Sequence, residues 1–316
     1  MPPLTKVILC ICTYKRPTML RECLLSIASQ EIPRNWEFEI LIVNNAPDCD
    51  ITQTIQYAKN HLNSRIHIVN EIQRGISFAR NTACRTSLLL GADWILMMDD
   101  DETAKTGWLT AYANGICNFD ADVFTGPVEY IFPESHRRWL ENKGMSAKKT
   151  GSLARRASTN NVIFSTSILL PPLKMAFDNN MALTGGEDSD FFMRFTHAGG
   201  KIIIVAEAVV SEVVLENRLK ISWRLYRQFW SSSSRVYTYK KIFGFRKTFL
   251  LSIKEIPMRI AHGIGRLIIS PFLLPSNINS SKKSFYHGLR HFSKAAGTLT
   301  GLAGRHPKPY KKVDGH

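Results

Sequence analysis

Residues 94–102 read Trp-Ile-Leu-Met-Met-Asp-Asp-Asp-Glu: five apolar side chains run straight into four consecutive carboxylates. The apolar half reads as a strand buried on both faces, since a strand with one wet face would alternate with polar residues. The acidic half has two readings. It can be a solvated loop, the usual fate of a charge run. It can also hold a hard divalent cation, which takes oxygen ligands from one or two carboxylates together with substrate phosphates. The rest of the chain decides between them.

Upstream, β-branched runs alternate with helical patterns. Strands are expected at residues 7–12, 38–43, 65–69 and 94–98. Helices are expected at 17–30, where Met19, Leu20, Cys23, Leu24 and Ile27 fall at helical spacing, at 51–62, and at 77–90 with Ser77 as N-cap. That order predicts βαβ units in a doubly wound, mostly parallel sheet. Ligands of such sheets lie beyond the carboxyl ends of the strands. Here those ends carry Thr13 and Tyr14, Asn44 and Asn45, the loop 70–75, and Asp99 to Asp101. No Gly-x-Gly-x-x-Gly follows the first strand, which disfavours a dinucleotide fold. Further on, the pattern predicts a helix at 108–117, strands at 122–132, 161–170, 201–205 and 206–210, and a mobile basic loop over the crevice at 133–158.

A second acidic site opens a helix at Gly185-Gly-Glu-Asp188. Taken alone, Asp188 reads as a helix cap. Beside a bound cation it gains another role: the metal neutralises a leaving diphosphate while a separate carboxylate accepts a proton from an incoming hydroxyl.

The bulk composition narrows the class. A 316-residue chain with 44% hydrophobic residues can bury a large core. Its six cysteines form no Cys-x-x-Cys pair, and no secretory segment is apparent, so reduced thiols and a cytosolic compartment are expected. The net charge of +15 is unevenly placed. Residues 217–316 hold 20 Lys and Arg against Glu255 and Asp314 alone, while residues 1–216 hold 21 basic against 24 acidic. Within the basic block Ile253, Ile256, Ile260, Ile264, Leu267 and Ile268 recur at spacings of three and four, with a start or interruption expected at Pro257. Such a helix can pack on the main domain or lie on an anionic membrane surface. A rival reading uses the block, with Tyr226, Trp230, Tyr237, Tyr239 and Phe243, to bind nucleic acid; the acidic crevice and the lack of any nucleic-acid motif speak against it.

The motifs as a set carry a resemblance. Val7-Ile-Leu-Cys-Ile-Cys-Thr-Tyr-Lys-Arg-Pro17, Ile42-Val-Asn-Asn-Ala46, Arg74-Gly-Ile-Ser-Phe-Ala-Arg-Asn81, the stretch 94–102 and Gly185-Gly-Glu-Asp-Ser-Asp-Phe-Phe-Met-Arg194 occur in order. Together they resemble glycosyltransferase family 2, inverting enzymes of GT-A fold that use nucleotide sugars. Within the family the chain is most similar to bacterial exopolysaccharide transferases of the succinoglycan type, which act on lipid-linked oligosaccharides at the inner face of the membrane.

The resemblance implies a catalytic domain over residues 1–230, divided into a donor half (1–105) and an acceptor half (106–230), and a basic, membrane-associating extension over 231–316 with a partly disordered tail. It places Thr13, Tyr14 and Arg16 around the base and ribose, and Gly75, Arg80 and Asn81 beside the diphosphate. Asp99 would face the ribose and Asp101 the metal, Mn²⁺ or Mg²⁺, with Asp100 and Glu102 supporting or merely solvated. Asp188 would be the catalytic base, and Glu187 would orient the acceptor. The implied partners are a UDP-sugar donor, a saccharide or lipid-linked acceptor and an anionic membrane surface, without nucleic acid.

Two positions depart from the family pattern. Asn44 stands where Asp is common; it can hydrogen-bond a base edge but brings no charge. Where many relatives carry a metal-contacting histidine the chain reads Val210-Ser211-Glu212, so Glu212 is either a substitute oxygen ligand or a solvent-facing side chain. Arg224 and Arg227 are candidates to reach the diphosphate. These departures keep open a family-like scaffold that binds without catalysing.

Overall fold

A computed structural model of the chain describes residues 4–133, 148–275 and 277–312. Strands β1 (Thr5–Thr13), β2 (Trp36–Asn44), β3 (Arg65–Asn70) and β4 (Trp94–Asp99) alternate with helices α1 (Pro17–Ala28), α2 (Thr52–Lys59) and α3 (Ile76–Leu89). The four strands pair in parallel, in the order β3-β2-β1-β4. Next come β5 (Glu102–Ala104), α4 (Trp108–Asn118), β6 (Val123–Thr125), β7 (Val128–Ile131), β8 (Leu153–Ala154), β9 (Asn161–Ser165), α5 (Glu187–His197), β10 (Ile202–Ile204) and β11 (Val210–Val213). Among the described residues the main sheet continues β4-β9-β6-β10-β8, and β5-β11-β7 form a smaller second sheet. The expected mixed, mostly parallel α/β fold is present, and β9 is antiparallel to both its neighbours.

Successive side chains of a strand point to opposite faces, and both faces are covered. Val7, Leu9, Ile11, Leu96 and Met98 join α1, α2 and α4 in one core. Ile8, Cys10, Ile95 and Met97 join α3 and α5 in the other. That alternation continues into the acidic run: Asp99 emerges towards α3 and α5, Asp100 towards α1.

Several local expectations give way to tertiary packing. The run 122–132 splits at Gly126, where a Cβ would lie 1.9 Å from the Ala208 carbonyl oxygen; its first part stays in the main sheet and its second joins β11. Asn161 holds the split, accepting from Trp108 Nε1 (2.9 Å) and Tyr112 Oη (2.6 Å) and donating to the Pro127 and Ala208 carbonyls. The strand at 161–170 stops at Ser165, which caps a 3₁₀ turn (Thr166–Leu169). The strand expected at 206–210 forms at Val210–Val213, so Glu212 lies within it, opposite Glu102. Ser77 is no N-cap: Gly75 holds that position, and Ser77 is buried with its hydroxyl unpartnered. Of the loop expected at 133–158, residues 134–147 lie outside the described residues, and β8 at its end is an antiparallel strand on β10.

After α6 (Glu216–Leu219) the basic block is helical: α7 (Ile221–Phe272), α8 (Ile278–Leu302) and a 3₁₀ turn (Pro309–Lys312). The boundary expected at residue 230 falls inside α7. The break in α7 is at Gly244 (φ 75°, ψ 167°), not at Pro257. There the chain doubles back, so Arg235 of the first half pairs with Glu255 of the second at 2.7 Å, and α8 packs on both: Ser293 donates to the Leu225 carbonyl and Ser284 to that of Arg266. The bundle is docked, because Lys241 reaches Asp178 (2.8 Å) and the fully buried Asp190 (2.9 Å). The aromatic residues available to a nucleic-acid reading are partly spent here: Tyr237 donates to Asp178, Trp230 packs on Tyr310, and Tyr239 on Phe243.

Candidate active site

The two acidic motifs meet at one guanidinium. Arg80 rises from α3 on the face that Asp99 points to, and bonds Asp99 Oδ1 at 3.2 Å through Nη2 and Glu187 Oε1 through Nη1. Arg80 is 6% exposed and Glu187 4%. Burial alone would weaken the guanidinium's charge, but Glu187 and Asp99 hold its pKa above the ordinary value. Burial raises Glu187 to about 7 against the pull of Arg80, with Asp188 adding to the rise. Burial likewise raises Asp99, opposed by Arg80 and reinforced by Asp101 and Asp188. The carboxyl end of β4 and the first turn of α5, 88 residues apart, thus share one crevice.

Asp100 and Glu102 are not solvated. Asp100 is 4% exposed, accepts from Thr13 Oγ1 at 2.7 Å and meets Arg16 at 3.2 Å; burial, resisted by Arg16 and assisted by Asp101, raises it to about 7. Glu102, 1% exposed, takes bonds from Asn160 Nδ2 and the Asp99 amide. Asp101 stands between Arg16 (3.2 Å) and Arg218 (3.4 Å). Arg218 also holds Glu212 at 2.6 Å. Burial raises Glu212 to about 7, and Asp101 is the largest neighbouring charge in that shift. Glu212 therefore faces the acidic crevice and not open solvent.

Asp188 lies on the adjoining wall, its Oδ2 accepting from Ser158 Oγ at 2.6 Å. It caps nothing at long range, since its Oδ1 takes only the next amide. Beside it, Glu187 Oε2 is buried with no hydrogen-bond partner among the described residues. Tyr310 reaches this wall from the far end of the chain: its amide donates to the Leu183 carbonyl, and its ring packs on Trp230 over Gly185. Burial, then the Glu187 carboxylate, push its hydroxyl up to about 12. The part of the expected disordered tail up to Tyr310 is thus anchored.

The structure gives other expected residues different tasks. Thr13 and Arg16 hold the acidic run. Asn44 closes its own turn, accepting from the Ala46 amide and donating to the Cys49 carbonyl. Asn81 clamps Phe177 through both backbone groups and also bonds Asn179. Gly75 is needed for contact: at φ 140° it packs where a Cβ would meet Ala182 at 2.5 Å. Tyr14 lies under Arg74, 5.0 Å from its ring centre. Arg227 stacks on Trp223 and contributes to the fields at Glu212 and Tyr310, while Arg224 has a buried, unpartnered Nε. Asn45, one of the strand-end residues legible in the sequence, ties β2 to the loop before α3 by donating to Glu71 and Gln73 carbonyls and accepting from Gly75. Sequence reasoning missed Arg218, Ser158 and Tyr310, none of which sits in a readable motif.

Among the described residues no three His, Cys, Asp or Glu side chains converge closely enough to hold a metal by themselves. The donor set fits a hard cation that needs further oxygens from a substrate: Asp101, with Glu212 across Arg218, offers carboxylates and no nitrogen or sulfur.

A parallel sheet whose strand ends gather two acidic motifs is the frame of a nucleotide-sugar transferase, and known proteins agree with that reading. The model of glycosyl transferase family 2 matches residues 8–171, and the chain belongs to that family. The succinoglycan biosynthesis protein ExoM of Rhizobium meliloti is 28% identical over 71% of this chain and 72% of its own. The glycosyltransferase AglE of Haloferax volcanii is 26% identical over 62% of this chain and 63% of its own. The structure of S. aureus TarS 1–349 in complex with UDP-GlcNAc superposes with a TM-score of 0.56 at 16% identity, over 95% of this chain and 93% of that one. A structure of GalNAc-T7 with UDP, GalNAc and Mn²⁺ gives 0.54 at 12% identity, over 75% and 50%.

Two outcomes follow from the charge arrangement. Arg80→Met leaves Asp99 and Glu187 without their counter-ion and is expected to cost about 3–5 kcal/mol in urea unfolding. Glu212 titrates near 7 in the fold against 4.5 in the unfolded chain. Between those values the fold holds the extra proton, so this contribution is full below 4.5 and is lost as pH rises through about 7. In chelator, the melting temperature is expected to fall across that window, and Glu212→Gln to flatten part of the fall.

Proposed function

We propose that the chain transfers a sugar from a nucleoside diphosphate donor, a UDP-sugar, to a hydroxyl of a saccharide acceptor by a single inverting displacement. The observation that carries this is the Arg80 bridge, which sets the Asp188 wall beside the end of β4. Asp188, held by Ser158, accepts the proton of the attacking hydroxyl. The unpartnered Glu187 Oε2 accepts a second acceptor hydroxyl and orients it. Arg16 and Arg218 bring positive charge to the leaving diphosphate. A divalent cation bound through Asp101, with Asp99 and Glu212 beside it, would neutralise that diphosphate as it departs. The likeness to ExoM, a succinoglycan biosynthesis protein, supports a role in exopolysaccharide synthesis, and for the acceptor there we propose a lipid-linked saccharide. The likeness to TarS, whose structure holds UDP-GlcNAc, supports UDP as the nucleotide.

We also assign the helical bundle to the cytoplasmic surface of an anionic membrane. Its buried positions are small or hydroxylic, as Ser252, Gly263, Ser270, Ser281 and Ser284 show. Most of its isoleucines face outward: Ile253, Ile260, Ile264 and Ile268 are 50%, 37%, 48% and 58% exposed, while Ile242 and Ile256 are half-buried. Small residues between helices with apolar residues outside is the packing of helices in lipid. The basic block adds attraction to anionic headgroups. No helix among the described residues is long and apolar enough to cross a membrane, so the bundle lies along the surface.

In a screen of UDP-sugars with Mn²⁺, Asp188→Asn is expected to slow UDP release about 10²–10⁴-fold with UDP affinity little changed; an unchanged rate would refute the base assignment. Phosphatidylglycerol vesicles are expected to sediment the wild-type protein and phosphatidylcholine vesicles far less. The double variant Ile260→Glu, Ile264→Glu should remain in the supernatant; if it sediments as wild type does, the membrane reading fails.

A further inference from the structure

Where α5 meets the bundle there is a cavity of about 190 Å³ that the transfer chemistry above does not use. At about 30 Å³ per water molecule it has room for a phosphate or diphosphate group. Gly186 and Ser189, which flank Glu187 and Asp188, form one side. Arg235 and Arg259 of the two halves of α7, Lys294 of α8 and Arg156 from the loop before β9 supply its charge.

That charge is unbalanced. Arg235 and Arg259 share a single carboxylate, Glu255, the only acidic side chain among the described residues after 217. Lys294 and Arg156 have no carboxylate partner among the described residues. Nε of Arg235 is buried and has no hydrogen-bond partner among the described residues. Burial and the neighbouring Arg290, Arg259 and Arg235 lower Lys294 to about 8, the response of an ammonium held among like charges. Four cations around one carboxylate in a partly open pocket suit a small, multiply charged anion with oxygen acceptors.

We propose that this cavity binds the diphosphate of a polyprenyl-diphosphate-linked acceptor, leaving the lipid on the outward apolar face of the bundle and the sugar at the Glu187–Asp188 wall. The placement carries the choice of ligand. One side of the cavity belongs to the helix that bears the proposed base, and the others belong to helices whose isoleucines mostly face outward. An anion bound here is therefore adjacent both to the chemistry and to the surface assigned to lipid. The proposal rests on the transferase and membrane readings, and binding is measured separately from turnover so that each can fail alone.

The test is calorimetric titration of the full chain, saturated with UDP and Mn²⁺ to block the donor crevice, with farnesyl diphosphate, farnesol and inorganic diphosphate. Farnesyl diphosphate is expected to bind at least tenfold more tightly than either of the others. The double variant Arg156→Gln, Lys294→Gln is expected to lose that binding at least tenfold while keeping its melting temperature, since neither side chain holds a carboxylate. Equal binding by wild type and variant, or no binding of either diphosphate, overturns the site. Inorganic diphosphate binding as tightly as farnesyl diphosphate overturns the lipid-linked source and assigns a free diphosphate. UDP release from the donor by the wild type, assayed in parallel, reports on the transferase reading whatever the titration shows.

Discussion

The arrangement depends on one buried guanidinium. Arg80 is the common partner of a carboxylate at the end of β4 and another at the start of α5. Without it Asp99 and Glu187 would face each other and Asp188 with no counter-ion of their own among the described residues. A planar, permanently charged fork suits this position, because it can hold two carboxylates from different elements and keep its charge when buried. Burial first, and neighbouring carboxylates after it, keep Glu187, Asp100 and Glu212 above the usual carboxylate range despite their arginines. That residual acidity is what a cation, or a donor carrying one, would relieve.

The bundle completes the site and is no mere appendage. Lys241 ties it to Asp190 in α5, and Tyr310 packs against the Glu187–Asp188 wall. Its Ser- and Gly-lined interior and outward isoleucines reverse the arrangement of the catalytic domain, whose cores are closed by Ile, Leu and Phe.

Much of the fold was legible. The first four strands and three helices lie within a few residues of their expected spans, because each is long and periodic enough for local pattern to dominate. The shorter elements after Glu102 were less so: the break at Gly126 depends on the Ala208 carbonyl, and the position of β11 depends on pairing with β5 and β7. In the site, the types and order of the acidic residues were readable, and their partners were not. Asn44 and Asn81 looked available for ligand and are engaged in backbone turns and clamps. Arg218 carried no motif at all.

What the sequence by itself determined is the alternating α/β pattern, the two acidic motifs at the ends of elements and the concentration of positive charge in the last hundred residues; all three depend on neighbours along the chain. Only the tertiary structure decided that Asp99 faces Arg80 while Asp100 faces Thr13 and Arg16, that Glu212 looks into the crevice, and that Ile253, Ile260, Ile264 and Ile268 of the α7 stripe stay exposed while Ile256 and Leu267 turn inward. The physical reason is that strand pleat, sheet register and helix docking set the direction of each side chain, and those are fixed by contacts between residues far apart in the chain.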